Sequence, residues 1–300
     1  MSIAELESRE VALEAPTGLW RDAWGRLRRN PGAVVGFALV GLFVTVALFA
    51  PLIAPEEPTV GDLSRLEGRC CPGPSAGHLF GVDQQGRDEF SRIVYGARYS
   101  LVIGVVSVAV GLSIGLFLGA IAGYFGRIAD SVVMRLMDIM LAVPGLLLAI
   151  GIVTFLGRGI VQIAMAIAIV NVPIFARLLR SSLLGLREAD YVTAARSVGV
   201  RGPTLLVRHM LPNAIGPLIV QGTLALATAV VDAAALGFLG LGPPDPRTPE
   251  WGTMLTDTYR NLNQAIWLAF FPGIAIVLSV LGFNLLGDGM REALDPRLRR

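Results

Sequence analysis

The sequence predicts an all-α integral membrane protein with six transmembrane helices, and three observations carry that expectation. Hydrophobic residues make up 54% of the chain and charged residues only 16%, a balance found in bilayer proteins rather than water-soluble domains. Six apolar runs reach the roughly 20 residues needed to cross a hydrocarbon core. The polar stretches between them divide their arginines unevenly, which is how spans acquire an orientation. Every basic residue is arginine, and the net charge of +2 argues against a nucleic-acid binder.

The spans fall at 33–54, 99–124, 132–156, 160–183, 214–241 and 265–287. They divide the chain into a cytoplasmic N-terminal segment (1–31), a first transmembrane helix (32–54), a long extracytoplasmic loop (55–98), a five-helix core (99–288) and a cytoplasmic tail (289–300). The first span is read as a retained helix rather than a signal peptide. A long segment of mixed charge precedes it, and Pro51 follows Ala50 where cleavage would fall. Arg21, Arg26, Arg28 and Arg29 precede the first span. Arg177, Arg180, Arg187, Arg196, Arg201 and Arg208 surround the fourth connection, and Arg291, Arg297, Arg299 and Arg300 close the chain. Positive residues near helix ends resist translocation, so these three segments and both termini are expected in the cytoplasm.

The long outer loop holds the adjacent Cys70 and Cys71, whose alternatives are free thiols, a vicinal disulfide, or metal contact with His78 nearby. Residues 82–98 mix Asp83, Arg87, Asp88, Glu89, Arg92 and Arg98 with Phe90, Ile93, Val94 and Tyr95, which fits an amphipathic helix at the outer interface. Residues 55–81, rich in Pro, Gly and Glu, read as an extended loop, either solvent-exposed or contacting a partner. The chain has neither a G-x-x-x-x-G-K-[ST] phosphate loop nor an H-E-x-x-H zinc motif, and with only His78 and His209 histidine-based catalysis is not expected.

Inside the spans, Asp232 is the leading candidate for a pathway or gate residue, because buried charge in lipid is costly. The alternative is a carboxyl bonded to a neighbouring helix. Arg135 and Asp138, three apart, are expected to pair with each other near the cytoplasmic end, and Asp288 to sit in an interfacial turn between Gly287 and Gly289. Pro144, Pro173, Pro217 and Pro272 interrupt helical hydrogen bonding, with Pro144 and Pro272 the candidates for kinks that line a pathway. Gly111, Gly115 and Gly119 form a strip for close helix approach.

The most informative stretch is 191–213, a polar, arginine-bearing segment between two apolar spans within the loop 185–212. Residues 191–198 read as a short helix bearing Ala194 and Ala195, and Gly199 ends it in a left-handed residue. Gly202 and Pro203 permit a second start, 204–210 is again helical, and Pro212 marks return to the membrane. By spacing alone this is either an ordinary loop or a docking element.

The segment resembles the EAA loop of ABC importer permeases: E-A-A, three residues, Gly, nine residues, I-x-L-P. Here Thr193, Ala194 and Ala195 are followed by Gly199 and then by His209, Leu211 and Pro212. Thr193 replaces the Glu and His209 the Ile, but Y-V-x-A-A-R-x-x-G, from Tyr191 through Arg196 to Gly199, and R-H-x-L-P-N, from Arg208, resemble the dipeptide/oligopeptide branch. Further stretches share the resemblance: RRNPGAVVGF, HLFGVDQQGRDEFSRIVYGARYSLVIG, MRLMDIMLAVPGLLLAI, ALGFLGLGPPDPRTPEWGTML and GDGMREALDPRLR. Together they are similar to the permease subunit type with a long first outer loop.

The resemblance implies a type I ABC importer permease fold and one half of a transmembrane pathway in the plasma membrane. It implies a homologous permease partner, two cytoplasmic ATPases that bind ATP and magnesium, an extracytoplasmic substrate-binding protein, and no cofactor or catalytic residue in this chain. Peptides are the implied substrate, with nickel chelates or glutathione as alternatives. An ion-coupled secondary transporter would instead need paired intramembrane carboxylates or an inverted repeat. Residues 191–198 would be the coupling helix, and bulky replacements at Ala195 or Gly199 are expected to uncouple transport while leaving membrane insertion intact. Wild-type uptake by a Gly199→Trp protein present at normal levels would count against that assignment.

Overall fold

The computed structural model describes residues 19–66 and 70–294, and its regular elements are helical. Glu67, Arg69, Arg297, Arg299 and Arg300 lie outside the described residues. An amphipathic helix α1 (Leu19–Arg29) precedes α2 (Pro31–Leu48). Asn30 separates them: its side chain accepts the Ala33 N–H at 3.0 Å, and Pro31 supplies the preset first turn. α2 is apolar throughout and is extended by a short turn, Ala50–Ile53, beyond the break at Phe49.

α3 (Glu89–Tyr124) has 36 residues, about 54 Å at 1.5 Å per residue, so it projects beyond a hydrocarbon core of about 30 Å. Asp88 caps it, accepting the Ser91 N–H at 2.8 Å and the Ser91 hydroxyl at 2.7 Å. That cap corrects the interfacial helix expected over 82–98: the helix begins at Glu89 and runs unbroken into the membrane. Most charges of this stretch are not solvated: Asp83, Arg87, Asp88, Glu89 and Arg92 are buried, and Arg98 is exposed.

The third span is also corrected. In place of one helix over 132–156 there are α4 (Arg127–Ala142) and α5 (Gly145–Leu156), bent by 93°. Pro144 stands at the break, where it cannot donate to α4 and so opens the next helix. Among the described residues five helices are long and apolar enough to cross a membrane, or six crossings if this bent pair is one span. α6 (Ile160–Arg187) continues through Pro173. The short α7 (Asp190–Ser197) leads to a π-helical turn at Leu205–Met210 and α8 (Leu211–Leu236), which continues through Pro217. After α9 (Trp251–Thr258), α10 (Trp267–Leu294) closes the described chain. It passes through Gly287, Asp288 and Gly289 without the expected turn, leaving Asp288 exposed on the helix.

Glycine decides the packing. Along α3, a Cβ at Gly111 would lie 2.7 Å from Ala168 O, at Gly115 2.6 Å from Phe175 Cβ, and at Gly119 2.6 Å from Ala176 O. Both sequences rise together along this seam, so α3 and α6 are parallel, and the glycine strip serves intrachain packing. α2 and α10 are antiparallel: Gly36 faces Gly282 and Leu286, and Gly289 faces Ala33. The crossings therefore alternate, placing the α1 end, the α7 turn and the end of α10 on one face and the long loops on the other. Asp138 pairs with Arg177 of α6, not with Arg135, which is exposed, and Asp130 pairs with Arg180. The i,i+3 spacing lost because α4 turns its acidic face toward α6.

The long loops on the face opposite α7 fold back on the helical core. Arg87 donates to Asp83 Oδ2 at 2.6 Å and to Pro246 O at 2.8 Å, and Arg92 Nε lies 3.5 Å from Asp83. Cys70 and Cys71 form a vicinal disulfide, which selects that alternative, and Cys71 is buried with Ala265 and Leu268. His78 Nδ1 meets Asp88 at 3.0 Å. Among the described residues no group of three or more His, Cys, Asp or Glu is arranged to hold a metal ion.

Two predictions follow from these contacts. A Leu at Gly115 must displace Phe175, an overpacking cost of about 1–3 kcal/mol or more, whereas Gly151, with open space beside it, should accept Ala with little change. Thermal unfolding in detergent compares them. Glu250, fully buried, caps α9 by accepting the Gly252 and Thr253 N–H groups at 2.8 and 2.9 Å. Burial pushes its carboxyl up to about 6 from the ordinary 4.5, against those hydrogen bonds. The folded value is the higher, so its contribution to stability is full below about pH 4.5 and is lost as pH rises through 6. Glu250→Gln should flatten that decline by on the order of 1–2 kcal/mol, read from unfolding of both proteins across the pH range.

Candidate functional site

The candidate site is built from the ends of α3 and α6. α6 carries the chain out of the core through buried Leu183, and α7 follows after one short bend. Val192 is the only fully buried side chain of α7; it packs into the core cluster that includes Leu183, Leu205, Met210 and Ala214. One anchored residue in a helix of eight leaves most of its surface free. Tyr191, Thr193, Ala194, Arg196 and Ser197 are exposed, while Ala195 is half-buried.

The helix ends as the sequence requires. Gly199 has φ +83°, its N–H donates to Arg196 O at 3.0 Å, and the Val200 N–H donates to Ala195 O at 3.1 Å. These are the two reversed bonds of a Schellman ending, which needs a left-handed residue. Ala195 and Val200 both pack against the core cluster, completing the motif's apolar contact. The structure thus divides the alanine pair: Ala195 faces inward and closes the turn, and Ala194 faces out. A bulky residue at Ala195 would therefore also disturb the packing of the turn.

The second half of the loop locks the turn from below. Gly202 lies against the Tyr124 hydroxyl at the end of α3, where any Cβ would clash. His209 offers its carbonyl to the Tyr191 hydroxyl at 3.5 Å and to the Asn213 amide at 2.7 Å. Arg208 and Pro212 are exposed, and Leu211 is partly buried against the core. The π-helical turn at Leu205–Met210 replaces the ordinary helix expected over 204–210. It runs directly into α8, and Pro212 stands in the first turn of that helix.

The residues assigned to a pathway are not brought together. Asp232 is half-buried on α8, with no hydrogen bond or ion pair among the described residues. Pro144 is exposed at the α4–α5 break, whereas Pro272 is buried within the packed side of α10. Gly111 to Gly115 also fits the G-x-S-x-G spacing of a nucleophile elbow. Ser113 lies inside α3 with its hydroxyl donating to Ala109 O at 2.7 Å, so no strand-to-helix elbow presents it.

This geometry, an anchored short helix standing off a helical membrane core, has counterparts. Residues 115–300 match the model of the binding-protein-dependent transport system inner membrane component family. The chain belongs to that family. Residues 18–67 match the N-terminal transmembrane domain of oligopeptide transport permease C. A dipeptide transport system permease protein of Alkalihalophilus pseudofirmus is 48% identical over 93% of this chain and 90% of its own length. A glutathione transport system permease protein of Pectobacterium atrosepticum is 43% identical over 93% of this chain and 92% of its own. Among solved structures, an inward-facing MetNI methionine ABC transporter is similar with a TM-score of 0.55 and 20% identity, over 68% of this chain and 96% of that one. This likeness supports the fold. The chain is a multi-pass inner-membrane transport component.

Sequence reasoning missed two parts of the site: Val192 as anchor and the Tyr124–Gly202 contact. The first is legible as the one β-branched aliphatic residue of the short helix, but the second joins residues 78 positions apart and leaves no local trace. A β-branched residue at Gly199 cannot adopt the left-handed turn without strain. Gly199→Val should cost about 1–2 kcal/mol and increase protease cleavage in this loop, while Gly199→Asn should be nearly silent.

Proposed function

We propose that this chain is one permease half of an ATP-driven importer of peptides, working by alternating access, with α7 as its coupling helix. The observation that supports this most is the outward face of Tyr191, Thr193, Ala194 and Arg196, held on a single buried anchor. Small side chains on that face let a partner's surface come close to the backbone. The Tyr124–Gly202 lock and the α3–α6 seam tie that face to the membrane core, so movement of α7 is transmitted to the spans instead of being absorbed in a loose loop.

On this reading the face carrying α7, the start of α1 and the end of α10 is cytoplasmic, in keeping with the arginine placement. Two ATPase subunits bind ATP and magnesium and supply the work, and a homologous permease completes the pathway. A substrate-binding protein delivers its cargo to the opposite face. ATP-driven closure of the ATPases favours one of two permease states by differential affinity, which is what a ligand-driven switch requires. Peptides are the substrate class because the relatives named for dipeptide and glutathione transport share nearly the whole chain. Glutathione, itself a small peptide, is the second reading.

The decisive position is Ala194, which is exposed and free of the turn. Ala194→Trp should leave expression, membrane insertion and thermal stability at wild-type levels while lowering ATP-dependent peptide uptake by at least about tenfold. Cys substitutions at Ala194 should crosslink to an ATPase subunit. Full uptake by the Trp variant, with no crosslink, would overturn the coupling role.

A further inference from the structure

The amphipathic helix α1 is not absorbed by any of the roles above. It ends one residue before the first span and lies against the end of α10: Ala23 is buried, Leu27 approaches Gly289, and the Asn30 amide donates to Glu292 at 2.5 Å. It therefore sits beside both the start of α2 and the end of α10. At 100° per residue, the inward stripe of Ala23 and Leu27 is flanked on one side by Trp24 and Arg28 and on the other by Arg26 and Arg29.

Both flanks are free. Trp24 is 47% exposed, and Arg28 stacks over its ring at 4.7 Å. Arg26 and Arg29 line an open cleft of about 310 Å³ with Asn30, Pro31, Gly289, Glu292 and Ala293. Its one carboxylate, Glu292, is already engaged by Asn30. None of Arg26, Arg28 and Arg29 has an ion-pair partner among the described residues. A tryptophan beside arginines that have no ion-pair partner among the described residues, on a helix next to the first span whose apolar stripe is already used, matches the chemistry of an anionic membrane surface: an aromatic ring for headgroup depth and cations for lipid phosphates.

We propose that α1 is a binding surface for anionic phospholipid, with Arg26 and Arg29 receiving a headgroup phosphate in the cleft and Trp24 and Arg28 contacting its neighbours. The surface selects acidic lipids around the first span and fixes α1, and through it the end of α10, to the bilayer face. Glycerophosphate free in solution offers the same phosphate without the acyl anchor and competes poorly.

The full-length protein in lipid nanodiscs tests this by tryptophan fluorescence, with Trp24→Phe defining the Trp24 contribution. Brominated phosphatidylglycerol, at equal mole fraction, should quench Trp24 several-fold more effectively than brominated phosphatidylcholine. An arginine near an acidic surface contributes about fivefold in affinity. The preference should therefore collapse in Arg26→Gln/Arg28→Gln/Arg29→Gln, all on exposed or half-exposed positions. High salt should reduce it in the unmodified protein, a check independent of whether the triple variant folds. Equal quenching by the two lipids, a preference that survives both the triple variant and salt, or full displacement by soluble glycerophosphate would each overturn the proposal.

Discussion

The close parallel contact of α3 with α6 is the constraint on which the rest of the structure depends. Within lipid there is no hydrophobic force between helices, so association comes from van der Waals packing, and backbones must approach. Gly111, Gly115, Gly119 and Gly123 remove the side chains that would prevent this, and Asn171, Phe175, Leu179 and Leu183 fill the space. Because the two helices run the same way, their ends emerge together. Tyr124 closes one and Arg187 the other, and α7 hangs between them with Gly202 against the Tyr124 hydroxyl.

A second organisation lies on the opposite face. The strand-like connection before α3 folds down through Asp83 and Arg87, and the loop before α9 meets it through Pro246, while Trp251 and the buried cap Glu250 reach Ile93 and Ser100 of α3 itself. Buried arginines are costly unless their donors are met, and here carboxylates and backbone carbonyls meet them. The effect is to join both outer loops to the upper ends of α3 and α8, so that each face of the molecule is tied to the same helix. This is the connectivity that a two-state transport component needs, since a change at one end is carried by rigid helices rather than by flexible loops.

Much of this was legible in the sequence because it depends on local chemistry. Apolar length gave the spans, and a glycine at the end of a short polar helix gave the Gly199 turn with its left-handed φ. The glycine strip on α3 was legible as a packing surface, though not its partner. What was misread shares one cause: each error assumed that residues close in sequence answer to one another. Arg135 and Asp138 were paired by spacing, yet Asp138 reaches Arg177. The charges of 82–98 were assigned to solvent by their alternation, yet loops more than 150 residues away bury them.

The sequence by itself determined which segments must lie in lipid and where the chain must turn, because hydropathy and glycine or proline stereochemistry act residue by residue. Only the tertiary structure decided which side of each element is occupied. It turned Ala195 inward and Ala194 outward, and it left Trp24 exposed beside Arg28. Those choices are made by contacts between helices distant along the chain, whose geometry no local pattern encodes.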